Sequence, residues 1–174
     1  MNNTNIKIGE IKEIAGEEFI ILDILENGIL CLSKNFAYKN TRFDYATNNY
    51  ANSEIRKTLN TEYLKKLSDV VGEENIVEFE LDLTSDDGLD DYGKVTDKIG
   101  LITVDMYRKY NRIIERFPVD DWWWLSTPWS TPHRGYSYAV RCVDNDGSLN
   151  NLSCDIDCGF RPFCILKSNI FVSK

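Results

Sequence analysis

Trp122-Trp123-Trp124-Leu125-Ser126-Thr127-Pro128, answered later in the chain by Gly159-Phe160-Arg161-Pro162, is the stretch that decides the fold. Successive side chains of a strand point to opposite faces, so Trp122 and Trp124 should share one face while Trp123 takes the other. Both faces must then be covered, which places this strand inside a layered structure. Most of the rings between Trp122 and Tyr138 are expected in the core, because each buries roughly 150 to 250 Å². Trp129 is the exception. It stands in a loop between Pro128 and Ser130, and Trp is among the residues that dominate binding hot spots, so it is the ring expected to be a partner-binding side chain. Arg161 is expected to be a buried ion-pair or carbonyl-binding anchor of the fold.

Working outward, everything after Pro118 reads as β-structure. Tyr136, Tyr138, Val140 and Cys142 alternate with Ser137, Ala139, Arg141 and Val143, and Asp144-Asn145-Asp146-Gly147 turns the chain. Leu149 to Ile156 should return, and Phe160 to Leu166 should form a last strand with Pro162 at a bulge or unpaired position. Upstream, Phe19 to Leu25 and Ile29 to Leu32 flank Asn27-Gly28, a hairpin signal because both residues tolerate positive φ. Phe36 to Tyr50 reads as a structured loop. Asn52 or Ser53 can cap a helix carrying Ile55, Leu59, Tyr63 and Leu67 at every fourth position, with a restart expected at Asn60-Thr61. A strand is expected over Asn75 to Leu83, a shorter one over Ile99 to Thr103, and then a helix capped by Thr103 and running to about Ile114. The expectation is a single α+β domain over residues 1–174, with an N-terminal hairpin, early helices and a curled antiparallel sheet late.

The net charge of −8 is not spread evenly. Residues 73–97 hold ten acids against a single base, Lys94, so nearly all of the imbalance lies there. Such a segment disfavours direct binding to nucleic acid, which needs Lys and Arg to displace counterions, and suits a protein partner with a basic surface. Asp82, Asp86, Asp87, Asp90 and Asp91 are the expected partner-binding acids, alongside Trp129. Reversal of Asp86, Asp87, Asp90 and Asp91 to lysine is expected to weaken binding and leave the fold intact. The alternative for Asp82-Leu83-Thr84-Ser85-Asp86-Asp87-Gly88 is a calcium loop, but its glycine falls one position late for the EF-hand pattern and position twelve is Gly93 rather than glutamate.

Signals for catalysis are weak. The five cysteines, Cys31, Cys142, Cys154, Cys158 and Cys164, are odd in number and lack the close pairs of common zinc sites, so free thiols are expected. Cys154, Cys158 and Cys164 with Asp155 and Asp157 could be proposed as a metal cluster, but no histidine lies near them. His133 is the sole histidine and falls in a turn-like stretch, away from any evident Ser, Thr or Cys nucleophile. Neither a P-loop nor a Rossmann glycine pattern occurs. The expectation is a protein that is not an enzyme and needs no cofactor and no metal. Met1-Asn2-Asn3-Thr4-Asn5 lacks the basic and apolar regions of a signal peptide, and no apolar run approaches the roughly 20 residues of a spanning helix, so a cytoplasmic protein without membrane contact is expected.

Trp123-Trp124-Leu125-Ser126-Thr127-Pro128, Ala139-Val140-Arg141-Cys142-Val143 and Gly159-Phe160-Arg161-Pro162-Phe163 carry a resemblance. The chain resembles an uncharacterised bacterial and phage domain family whose signatures read W-W-L-R-S-P, an A-x-x-V strand and G-[VF]-R-P-A. Ile20-Ile21-Leu22-Asp23, Ser53 to Asn60 and Thr96-Asp97-Lys98-Ile99 extend the likeness upstream. That family is similar to C-type-lectin-like folds of the formylglycine-generating-enzyme and phage variable-receptor type, which also end on a Gly-Phe-Arg strand. The resemblance implies a ligand-presenting scaffold without known catalytic residues. Ser126 replaces the family's arginine and Phe163-Cys164 its small-residue ending. A small acidic protein of phage or mobile-element type implies a non-enzymatic binder in the bacterial cytosol, an anti-CRISPR-like inhibitor of a nucleic-acid-binding host defence complex. The competing expectation is a surface or tail-associated module that recognises a carbohydrate or receptor.

Overall fold

The computed structural model describes residues 6–172, so the Met1 to Asn5 stretch lies outside the described residues. The chain enters through β1 (Ile11–Ile14) and β2 (Glu17–Leu25). Between them Ala15 and Gly16 both take positive φ, at 56° and 75°, the twist that a two-residue hairpin turn needs. The sequence hides this turn, because alanine is not a turn former. β3 (Gly28–Ser33) pairs with β2 from Leu25↔Gly28 onward, which confirms the expected hairpin but not its reason. Neither Asn27 nor Gly28 has positive φ. Gly28 is required by close approach, since a Cβ there would sit 2.7 Å from the carbonyl oxygen of Leu166.

The structured loop contains one short strand, β4 (Tyr38–Thr41). Ser53 then caps α1 (Glu54–Thr58), its hydroxyl accepting the Arg56 N–H at 3.2 Å. At Asn60-Thr61 the helix widens into a π turn (Leu59–Tyr63) and continues as α2 (Leu64–Val71). Asn60 explains why: its side chain donates to the Ile99 carbonyl at 2.9 Å and accepts from the Ile99 N–H at 3.2 Å, which fastens the helix to the strand beyond. Ile55, Leu59, Tyr63 and Leu67 are all buried, as their spacing requires.

The strand expected over Asn75 to Leu83 breaks at Glu78 into β5 (Ile76–Val77) and β6 (Phe79–Asp82), which belong to different sheets. β6 pairs with β7 (Lys94–Asp97), and the acidic loop connects them. β8 (Ile99–Gly100) is followed by α3 (Val104–Ile114), capped by Thr103 through the Met106 N–H at 3.1 Å. The remaining strands are β9 (Trp123–Pro128), β10 (Ala139–Val143), β11 (Leu149–Ser153), β12 (Cys158–Phe160) and β13 (Phe163–Leu166). β10 starts later than the Tyr136 alternation suggested, and β11 stops before Ile156.

One sheet runs β1-β2-β3-β13-β5, with β8 also pairing β13, and a second runs β11-β10-β9-β12-β4. The fold is mixed α+β, and every strand pair is antiparallel except β9 with β12. β12 and β13 lie in different sheets, so the single strand expected over Phe160 to Leu166 is instead a corner at Arg161-Pro162. Proline suits that corner because no N–H is needed there, while its carbonyl accepts from Ser33 N–H at 2.8 Å. Arg161 Nε donates to the Ser33 carbonyl at 3.0 Å. Trp123 and Trp124 face opposite ways, as the alternation predicts: Trp123 meets Tyr107 edge-on at 5.8 Å, and Trp124 meets Phe43 at 5.8 Å and donates its indole N–H to the Thr41 carbonyl.

Candidate functional site

The loop from Leu83 to Gly93 is closed by its own backbone, with Leu83 N–H bonding Gly93 O at 2.9 Å and Ser85 N–H bonding Leu89 O at 2.8 Å. It is then fastened to the segment that follows β9. Asp86 N–H donates to the Pro128 carbonyl at 3.0 Å. The Asp87 carboxylate accepts from the Ser130 hydroxyl at 2.7 Å and pairs with Arg134 at 3.3 Å, and Asp91 accepts from the Thr131 hydroxyl at 2.7 Å. From behind, buried Asn48 donates to the carbonyls of Ser130 and Ala139, both at 2.9 Å, and accepts from the Tyr92 hydroxyl at 2.6 Å. The acidic loop and the aromatic turn are thus one unit.

The acids divide into two groups. Asp86 lies between Arg108 at 3.3 Å and Arg141 at 3.2 Å. The Arg141 Nε is enclosed without a well-directed hydrogen bond, so that contact is Coulombic. Burial pulls the Asp87 carboxyl up, but hydrogen bonds from Ser85 and Ser130, with Arg134 nearby, outweigh it and leave the group below its ordinary value. Asp86, partly buried between its two arginines, is therefore held in the structure, so reversing it to lysine would disturb the fold, contrary to the expectation drawn from the sequence; Asp87 and Asp91 reach Ser130 and Thr131 while remaining exposed. Asp82 accepts from the backbone and hydroxyl of Thr84, which hold its carboxyl low, and its residue is exposed. Asp90 is exposed too. Elsewhere in the segment Asp97 receives a bidentate Arg56, Glu80 pairs with Lys94 and Glu73 with Lys98. Bases from outside the segment supply much of the compensation.

Trp129 is half-buried, meeting Tyr136 edge-on at 4.5 Å, while Tyr138 continues the row and is 49% exposed. Tyr136 and Tyr138, with Ser130, Thr131 and Arg134, are the parts of this face that the sequence reading missed. Their signal was the tyrosine alternation, which was assigned to a strand that begins only at Ala139. Between the loop and the start of α3 lies a cleft of about 340 Å³, walled by Asp82, Asp86 and Asp105 against the single guanidinium of Arg108. That wall favours a cation over an anion.

A family model for a domain of unknown function (DUF6273) matches residues 103–168. The match runs from the cap of α3 through β13 and takes in the tryptophan strand, Trp129, Arg134, Arg141 and Arg161. It covers less than half of the chain and leaves out the acidic loop, along with the upstream stretches Ile20 to Asp23, Ser53 to Asn60 and Thr96 to Ile99. No curated protein and no solved structure matches the chain.

The residues weighed for catalysis lie apart, most of them buried. All five cysteines are free and buried. Burial pushes the Cys142 thiol up to about 12, and burial with Asp155 and Asp44 pushes Cys154 up to about 11, so neither is a thiolate near neutrality. The Thr127 hydroxyl accepts from Val104 N–H at 3.0 Å, Ser126 is fully buried with its hydroxyl unpartnered, and His133 stands exposed on the turn Pro132–Arg134. Among the described residues, no group of three His, Cys, Asp or Glu side chains is placed to hold a metal ion, and no helix is long and apolar enough to cross a membrane.

Proposed function

We propose that this protein is a non-catalytic binding module that docks on a basic protein surface through the acidic loop and the aromatic turn fastened to it. The observation that supports this reading is the pair of bonds from Asp87 to Ser130 and from Asp91 to Thr131, which set carboxylates beside the Trp129, Tyr136 and Tyr138 rings. Lysine and arginine side chains suit such a face twice over, by ion pairing with the acids and by stacking on the rings. Asp82, Asp90 and Tyr138 supply the contacts together with the exposed Asp87 and Asp91, while Asp86 holds the loop in position. The scaffold is of the C-type-lectin-like kind, in keeping with the Gly-Phe-Arg strand at its corner. The role is that of a phage-type, anti-CRISPR-like inhibitor in the bacterial cytosol, occupying a basic site that otherwise holds nucleic acid.

The experiment is a gel-shift competition. Purified RNA-guided and other nucleic-acid-binding defence complexes are loaded with their DNA in the presence of the protein. Displacement that weakens as salt rises is the expected result. No displacement, together with saturable binding on a glycan array, would replace this reading with that of a surface module for carbohydrate, which the same row of rings would also serve.

A further inference from the structure

At the far end of α3 from the acidic loop, a cavity of about 90 Å³ opens between the helix, β9 and the turn after β10. Arg161 forms part of its wall, with Tyr107 and Trp123, while Glu115 and Asp146 belong to its exposed rim. Arg161 is 1% exposed. Its Nε is used by the Ser33 carbonyl, its guanidinium lies 5.0 Å over the Trp123 ring, and its Nη2 is enclosed with no partner. No carboxylate among the described residues pairs with it, and burial brings its pKa down to about 10. An enclosed guanidinium that no carboxylate of the chain pairs is costly, and an anion brought against it is favourable.

A bare anion would have to pass Glu115 and Asp146, so the cavity presents positive charge deep and negative charge at its mouth. The Tyr107 hydroxyl, on the same wall, donates to the Gly147 carbonyl at 2.7 Å. Its pKa is raised first by burial and then by Glu115 and Asp146, against Arg161. We propose that this cavity binds a small zwitterion, an α-amino acid, its carboxylate against Arg161 and its ammonium at the mouth between Glu115 and Asp146. The cavity admits a few water-sized groups, enough for the carboxylate and Cα with the side chain left outside. The site is separate from the acidic loop and does not depend on the partner proposed for it.

The test titrates the intact protein with L-alanine, acetate and ethylamine, following amide resonances by NMR. L-alanine should bind saturably, acetate roughly tenfold more weakly for want of the ammonium contact, and ethylamine not at all. Arg161→Met should abolish alanine binding. Should that variant fail to fold, Asp146→Asn, which keeps an acceptor for Ser148 N–H, should weaken alanine several-fold and strengthen acetate, narrowing the gap between them. The assignment is overturned if folded protein shows no saturable alanine shift, if a folded Arg161→Met binds alanine like the parent, if Asp146→Asn binds alanine like the parent, or if either single-charge probe binds as well as alanine.

Discussion

Arg141 and Arg161 are both largely enclosed, yet the chain treats them in opposite ways. To Arg141 it brings Asp86, carried in by a loop from far upstream; to Arg161 it brings a carbonyl and the face of a tryptophan. Around the first, opposite charges fasten two segments, and the excess acids of the loop are drawn into the architecture. Around the second, aromatic packing does the fastening and the charge is left over. A surplus charge in a sequence thus has two fates, and the number of charges in a segment says nothing of which one it meets. Local partners decide.

Four measurements would break or sharpen this contrast. The tryptophan strand that carries the Arg161 stack should be the more fragile to truncation, on its other face as well. Trp124→Ala removes a fully buried ring and an indole hydrogen bond, and should cost about 3 to 5 kcal/mol, lowering Tm by roughly ten degrees or more. A melt within a degree or two of the parent would show that the packing is not what holds this half together. Asp86→Ala strips Arg141 and Arg108 of a shared anion and should cost about 2 to 3 kcal/mol in urea unfolding, below a fully buried pair because both partners touch solvent.

Acid should weaken the loop next. Asp87 has a folded pKa below its unfolded value of about 3.9, so its stabilisation is complete above that value and is lost as pH falls through the folded one. Urea midpoints between pH 5 and 2 should therefore fall less steeply in Asp87→Asn than in the parent. Asp90→Lys should have the smallest effect on the fold, within about 0.5 kcal/mol, since the residue is exposed. In a partner complex the same change should slow association and flatten its salt dependence. If Asp90→Lys destabilises as much as Asp86→Ala, the division between fastening and presenting acids collapses.

The sequence made legible whatever rests on periodicity and local capping: the opposed Trp123 and Trp124, the buried face from Ile55 to Leu67, and the Ser53 and Thr103 caps. It hid what depends on tertiary closeness. Gly28 is a glycine because β13 passes over it, Asn60 opens a π turn because β8 offers it a backbone to bind, and the run from Phe160 to Leu166 splits because Arg161-Pro162 crosses between sheets. Of the candidate site, the identity of the acids and of Trp129 could be read directly. Which acids would be engaged could not, because Arg108, Arg134 and Arg141 reach them only in the folded chain, and Tyr138 became visible as part of the face only once β10 was seen to begin after it.

The position of β13 also governs how the chain can be made. That strand lies between β3 on one side and β5 and β8 on the other, so the first sheet has a gap at its centre until residues 163–166 arrive. On the ribosome the hairpin of β2 and β3 can form early, but its inner edge stays open while more than a hundred further residues are synthesised. Pairings this distant in sequence make for slow closure, and an open apolar edge held that long is a place for chains to stick to one another. Completion of the fold therefore comes as a single late event, when the Arg161-Pro162 corner carries β13 into the slot.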